Sequence, residues 1–296
     1  MASLPIILNP HSGRGAVREA EALRQAFEAV GTRAEIHVVE GTHVRDVVMG
    51  MASAHVPIIG IAGGDGTISS AATAVAETET ALLPIPLGTF NHFAQRYGVP
   101  TVEAAVHAWE RRSVHPVPVG FMNDVAFVNN ASCGFYPHVV RQRDRIERFL
   151  PRKAAMWLAG GIVLAKLPLM RLELHANGHD RELKTPALWV GIGENSLRLP
   201  TPGDAHREGD VLEIVTPTTQ RRISVIALML RTMVKLKRGE ETPEDKSLDV
   251  FHAEHFTINS PHRVDIGLDG EPLRMVPPIH FRYARNGLKV LCLVAP

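Results

Sequence analysis

Over the first 110 residues, short apolar runs alternate with amphipathic stretches. The runs lie at 4–8, 34–39, 58–62 and 82–87, and helical patterns lie at 16–30, from Thr42, at 68–76 and from Thr101. Runs this short, rich in Ile, Leu and Val and each followed by a 3.6-residue period, predict a parallel sheet covered by helices. Ligands then gather at the carboxyl ends of the strands. Beyond about Gly120 the texture becomes period-two, at 169–176, 183–192, 211–216 and 255–259, with Asn177-Gly178 as a turn signal. That half predicts mainly antiparallel β structure. Asn286-Gly287 stands between runs at 278–284 and 288–294 and predicts a closing hairpin. The expected architecture is an α/β N-terminal domain with a parallel sheet (1–122) followed by a mainly antiparallel β-sandwich domain (123–296). The last strand, about 288–296, is able to return to the first domain.

Two stretches fit neither pattern. Residues 154–165 are apolar nearly all round and follow Arg141, Arg143, Arg145, Arg148, Arg152 and Lys153; residues 223–234 lie between Arg221-Arg222 and Lys235, Lys237 and Arg238. Both are shorter than the roughly 20 residues that span a bilayer. Each is either a buried helix or one that lies on a membrane surface. The formal net charge of +1 supplies no field that would drive the chain onto nucleic acid. Cys133 and Cys292 lack metal-ligand or CxxC spacing, and no secretory leader is recognisable, so a reduced, cytoplasmic protein is expected.

The chemistry concentrates at three strand ends. Gly63-Gly64-Asp65-Gly66-Thr67 follows an apolar run and opens the helical pattern that begins at Ile68. Its glycines let backbone amides approach an anion, and the helix N-terminus adds partial positive charge. Asn9-Pro10-His11-Ser12-Gly13-Arg14-Gly15 and Pro86-Leu87-Gly88-Thr89-Phe90-Asn91-His92 occupy equivalent positions after other strands. Together they predict a polar rim of nucleotide size. The Walker loop is excluded because the chain has no Gly-Lys dipeptide, and the first strand-turn-helix unit lacks the GxGxxG dinucleotide fingerprint. In the β-rich half, Asp265, Asp269 and Glu271 flank a turn, and Asp204, Glu208 and Asp210 offer hard oxygen ligands of the kind magnesium takes.

These segments, with Asn130-Ala131-Ser132-Cys133-Gly134-Phe135 and the late Leu268-Asp269-Gly270-Glu271, resemble in order and spacing the diacylglycerol kinase catalytic family. That family also holds sphingosine, ceramide and bacterial lipid kinases, and its fold is shared with NAD kinases. The resemblance implies phosphorylation of a lipid hydroxyl by ATP with Mg2+, in a cleft between an α/β nucleotide domain and a β-sandwich domain. Carried over by position, Asn9, Pro10, His11, Ser12, Gly13, Thr42, Gly63, Gly64, Asp65, Gly66, Thr67, Ile68, Ser69, Thr89 and Asn91 line the ATP site. Glu271 is the proton acceptor, with Asp65 the other candidate base or a magnesium-linked carboxylate. Ala205, Glu208 and Asp210 match a structural metal loop, although Glu208 stands where the family usually has Asp and the preceding glycine-rich stretch is absent. Arg14 replaces a lysine common in bacterial relatives. The implied partners are a lipid substrate and, transiently, the membrane surface; a homodimer is compatible. Met156, Trp157, Leu158, Ile162 and Leu169 are expected to line an acyl pocket. A kinase acting on NAD and a non-catalytic nucleotide- or lipid-binding regulator are the competing readings.

Overall fold

The computed structural model describes residues 2–13, 15–166, 169–193, 211–218, 224 and 247–294. The expected metal loop with Ala205, Glu208 and Asp210, the apolar stretch at 223–234 apart from Ser224, and Arg14 lie outside those residues.

Strands β1 (Ala2–Leu8), β2 (Thr32–Val38), β3 (Ile58–Gly63) and β4 (Ala81–Pro86) are parallel, in the order β2-β1-β3-β4. Helices cover both faces of this part of the sheet, and the central strands accordingly bury consecutive residues such as Ile6, Ile7 and Leu8, or Leu82 and Leu83. The covering helices are α1 (Ala16–Glu28), α2 (Val44–Ser53), α3 (Asp65–Val75), the short α4 (His92–Arg96) and α5 (Val102–Arg111). Helix α1 turns Ala20, Leu23 and Phe27 inward at the spacing that places side chains on one face. Helix α5 starts at Thr101, whose hydroxyl accepts the amide of Ala104 at 3.2 Å. It is fastened to β2 by Trp109 Nε1, which donates to Thr32 Oγ1 at 2.8 Å. Because β1 lies between β2 and β3, the chain reverses its winding there, and the carboxyl ends of β1 and β3 open a crevice at that point.

The β-rich half contributes β5 (Val114–Met122), β6 (Val125–Phe127), β7 (Asn130–Gly134), α6 (Phe135–Ile146), α7 (Arg152–Lys166), β8 (Met170–Ala176), β9 (His179–Thr185) and β10 (Ala187–Ile192). It continues with β11 (Leu212–Pro217), β12 (Leu248–Ala253), β13 (His255–Asn259), β14 (Val264–Leu268), β15 (Glu271–Met275) and β16 (Ile279–Leu291). Among the described residues, the strands form two sheets. One has six strands in the order β12-β11-β10-β7-β14-β15; the other has ten and runs from β2 through β4 and β16 to β9. The two sheets enclose a second core around Phe127, Phe256 and Phe281, where the rings of Phe256 and Phe281 stack with centroids 4.6 Å apart.

Two sequence expectations need correction. The run at 183–192 is two strands, because Pro186 interrupts the ladder: β9 pairs with β8 in the larger sheet, and β10 pairs with β7 and β11 in the smaller. Asn286-Gly287 makes no hairpin. It sits inside β16, at a bulge between Ala284 and Leu288, and the strand pairs with β5 on both sides of that bulge. Neither residue takes the positive φ that a type I′ turn requires. Gly287 is needed there for space, since a methyl group on it would collide with Val119 Cγ2. Before the bulge, the second edge of β16 pairs with β13; after it, with β4. One strand thus carries the antiparallel half of the sheet into the parallel half, and Leu288, Val290 and Leu291 enter the first core.

Candidate active site

The three strand-end loops meet at the crevice. The loop after β1 is attached to β3 by the Asn9 amide, which donates to Ala62 O at 3.1 Å, and to α3 by Asn9 Nδ2, which donates to Thr67 Oγ1 at 2.9 Å. Asn9 Oδ1 receives the His11 amide at 3.1 Å, an Asx turn that fixes the loop's shape. His11 Nε2 lies 2.9 Å from Glu40 Oε2, which draws in the 3-10 turn Gly41–His43 carrying the exposed Thr42. The loop after β4 is held by the Leu87 amide donating to Gly63 O at 3.0 Å, and closes on itself as Asn91 Oδ1 accepts from Gly88 N and Asn91 Nδ2 donates to Gly88 O. Gly64 and Gly88 pass backbone to backbone, so that a methyl on Gly88 would overlap the Gly64 main chain. That approach alone requires glycine at position 88 and leaves little room for a side chain at position 64. Thr89 and Phe90 remain exposed, with the Phe90 ring stacked on His92 at 5.4 Å.

Within the Gly63–Thr67 loop the side chains divide by task. Thr67 Oγ1 is taken by Asn9, Ile68 is fully buried in the first core, and Ser69 is buried with its hydroxyl hydrogen-bonded to Asp269. Asp65, at the start of α3, accepts the amides of His92 at 3.1 Å and Phe93 at 3.0 Å, and so caps α4. Asn129 Nδ2 also donates to it, at 3.4 Å. The Asp65 carboxylate therefore couples the second loop to the third, with both oxygens occupied.

Asp269 does the same across the two cores. It accepts the amides of Val128, Asn129 and Asn130 at 2.8, 2.8 and 2.9 Å, besides the Ser69 hydroxyl. Burial pushes its carboxyl above the usual carboxylate range, and these donors pull it partly back. Its φ of 46° and that of 93° at Gly270 make the tight turn between β14 and β15, a conformation that Asp and Gly tolerate best. Asn129 was not among the residues singled out from sequence. It bridges both carboxylates, its amide on Asp269 and its side chain near Asp65, and its Oδ1 is buried without a partner. The doublet Asn129-Asn130 just ahead of a strand was the available sign.

Glu271 is the residue these anchors present. It opens β15, is exposed, and brings Oε1 to 3.2 Å from where a side chain on Gly66 would begin. The late turn therefore reaches the Gly63–Thr67 loop directly. The carboxylate lies over the N-terminus of α3, where free amides and the helix dipole favour a bound anion. Among the described residues there is no group of three His, Cys, Asp or Glu side chains placed to hold a metal ion. Nor does the expected acyl lining hold together: Met156 is partly buried, but Trp157 is 70% and Leu158 47% exposed.

Comparison with known proteins bears on the family and the fold. Residues 3–126 match the family model of the diacylglycerol kinase catalytic domain. The chain is 32% identical over 247 residues to the protein of Enterobacter sp. (strain 638) named "Probable lipid kinase YegS-like", covering 79% of this chain and 77% of that protein. It is 29% identical over 290 residues to the "Probable lipid kinase YegS" of Escherichia fergusonii, covering 92% and 91%. The fold is similar to that of a diacylglycerol kinase from Bacillus anthracis str. Sterne, with a TM-score of 0.68, 18% identity, and 99% and 97% of the two chains covered.

Proposed function

The chain belongs to the diacylglycerol kinase catalytic family, and from that membership and the geometry of the cleft we propose that it is a lipid kinase transferring the γ-phosphoryl group of Mg-ATP to the hydroxyl of diacylglycerol or a related lipid alcohol. The observation that carries the chemistry is the approach of Glu271 to Gly66. Phosphoryl transfer needs groups that neutralise charge on the phosphates and a base in line with the attacking oxygen. The amides of Gly63–Thr67 and the head of α3 supply the first; Glu271, whose exposed side chain has no hydrogen-bond partner among the described residues, supplies the second. In this reading the lipid hydroxyl enters between the two cores and gives its proton to Glu271 as its oxygen attacks the γ-phosphorus. The bond to the bridging oxygen breaks, and ADP leaves.

Asp65 then acts by positioning. With both oxygens on the α4 amides it fixes the loop carrying Thr89 and Asn91 against the phosphate loop. Asp269 positions Glu271 in the same manner, through the amides ahead of β7. Asn9, His11, Ser12, Gly13 and Thr42 form the far rim of the nucleotide site. Magnesium is to arrive with the nucleotide, held by phosphate oxygens and water in the usual way, since Asp65 and Asp269 are both directed at backbone donors and Glu271 is the carboxylate that faces the cleft. We assign the lobe around the first core to the nucleotide and the lobe around the second to the lipid. The enzyme is expected to work as a peripheral protein at the cytoplasmic membrane surface; no described helix is long and apolar enough to cross a bilayer.

Incubation with ATP radiolabelled at its γ-phosphate, together with a mixed lipid extract or with NAD, tests the assignment. Label is expected in chloroform-soluble product. Label in NAD alone would overturn the lipid reading, and label in neither would leave a nucleotide- or lipid-binding regulator.

A further inference from the structure

Helices α6 and α7 form a hairpin outside both main cores. Its own small core is made by Phe135, Val139, Ala159 and Val163. Helix α6 leans on β14, where Asp265 forms an ion pair with Arg141 Nη1 at 2.7 Å and lies 3.4 Å from His138 Nε2. The opposite face of α7 presents Ala154, Trp157, Leu158 and Gly161 to solvent. These positions follow the i, i+3, i+4, i+7 spacing of a single stripe, and no charged residue occurs between Lys153 and Lys166. The connector between the helices adds Phe149, 85% exposed, and Leu150, 39% exposed. A contiguous apolar face of this kind is unusual on a protein that meets only water.

The described charges beside the face are net positive. Asp144 and Glu147 share Arg143, at 2.6 and 3.6 Å, while Arg141 is paired with Asp265 and the exposed Arg145 and Arg148 have no ion pair among the described residues. A second copy docking face to face would set Arg145 and Arg148 against their own images. An anionic lipid surface complements both the charge and the apolar stripe, with tryptophan suited to the boundary between headgroups and acyl chains. The placement also suits delivery. Strand β7 runs from Asn130, whose amide holds Asp269, to Gly134 at the head of α6, so the hairpin begins only about 13 Å along the strand from that clamp, at roughly 3.3 Å per residue.

We propose that the α6–α7 hairpin is the surface by which the protein docks on anionic membranes, with Phe149, Trp157 and Leu158 entering the interface and the arginines meeting lipid phosphates. What the docking serves rests on the lipid-kinase reading, but its test needs no turnover. Co-flotation is measured with vesicles of mixed phosphatidylglycerol and phosphatidylcholine and with vesicles of phosphatidylcholine alone. Wild-type protein is expected to float with the acidic vesicles, less well at high salt. The double variant Phe149→Glu, Trp157→Glu, whose sites are solvent-exposed and whose fold is checked by circular dichroism, is expected to partition at least about tenfold less. Activity on a dispersed short-chain lipid is expected to survive in that variant while activity on vesicles falls. Failure of the wild type to float, or flotation of the variant equal to wild type, overturns the proposal. So does a wild-type dimer in light scattering that the variant converts to monomer, which would assign the face to a second copy. If the wild type floats and phosphorylates no lipid, the docking stands and the lipid-kinase reading falls.

Discussion

Asp269 and Glu271 lie two residues apart in one turn, and their replacement should have opposite consequences. The Asp269 carboxylate accepts three backbone amides at 2.8–2.9 Å and the Ser69 hydroxyl. In Asp269→Asn, one oxygen remains for the amides of Asn129 and Asn130, but an NH2 group then faces the Val128 amide, donor against donor. Leaving one buried amide unpaired while the other bonds lose their charge assistance costs about 2–3 kcal/mol. Asp269→Ala strands all three amides and places a methyl-bearing residue at positive φ, costing about 4 kcal/mol or more, a large part of a typical total stability. The Glu271 side chain is exposed and has no hydrogen-bond partner among the described residues, so Glu271→Gln should stay within about 0.5 kcal/mol of wild type. Its lipid phosphorylation should nevertheless fall by about 10²–10⁴, or roughly 3–5 kcal/mol of barrier. Urea unfolding followed by circular dichroism, alongside transfer of labelled phosphate to lipid, separates the two. Wild-type stability in Asp269→Asn would refute the amide clamp, and wild-type turnover in Glu271→Gln would remove Glu271 from the chemistry.

Three further outcomes follow from particular contacts. Gly88→Ala should force the loops after β3 and β4 apart and cost about 1–3 kcal/mol, with a larger loss of nucleotide affinity than of stability; unchanged ATP binding by calorimetry would contradict the shared rim. Burial pushes the Cys133 thiol up to about 12 and the Cys292 thiol to about 11, so neither should react with a disulfide reagent in the native protein at pH 8 and both should react in urea; rapid native labelling would show that the cores are open. Hydrogen bonds from Arg282, at 2.7 and 3.0 Å, hold the Glu77 carboxyl below its ordinary value of 4.5. Its folded-state value is the lowered one, so its contribution to stability is complete above 4.5 and lost as pH falls through the folded value. The stability difference between wild type and Glu77→Gln should therefore shrink on acidification, and a difference that grew instead would reverse the assignment.

Local signals sufficed for the parallel half, because each strand there is a short apolar run ending in its own turn. The loops at Asn9, Gly63 and Gly88 could be located from neighbouring residues alone, since glycine and asparagine report backbone conformation that no distant contact needs to explain. Where two contacts compete for the same residues, local signals misled. Asn286-Gly287 is an excellent hairpin sequence, yet β5 extends along both sides of it and the ladder outweighs the turn. Pro186 divides a run that hydrophobicity alone joins, because only the assembled sandwich requires β9 and β10 to lie in different sheets.

The roles of the carboxylates were legible only in three dimensions. By itself the sequence determined the alternation of strands and helices, the three glycine-bearing turns at their ends, and a late Asp-Gly turn followed by glutamate. The tertiary structure decided that Asp65 and Asp269 face backbone amides from distant segments while Glu271 is left exposed beside Gly66. It also decided that the apolar helix at 152–166 keeps one face in solvent. The reason is physical: composition and spacing establish which groups are present, but whether a carboxylate is a clamp or a base depends on which donors the folded chain sets within 3 Å of it.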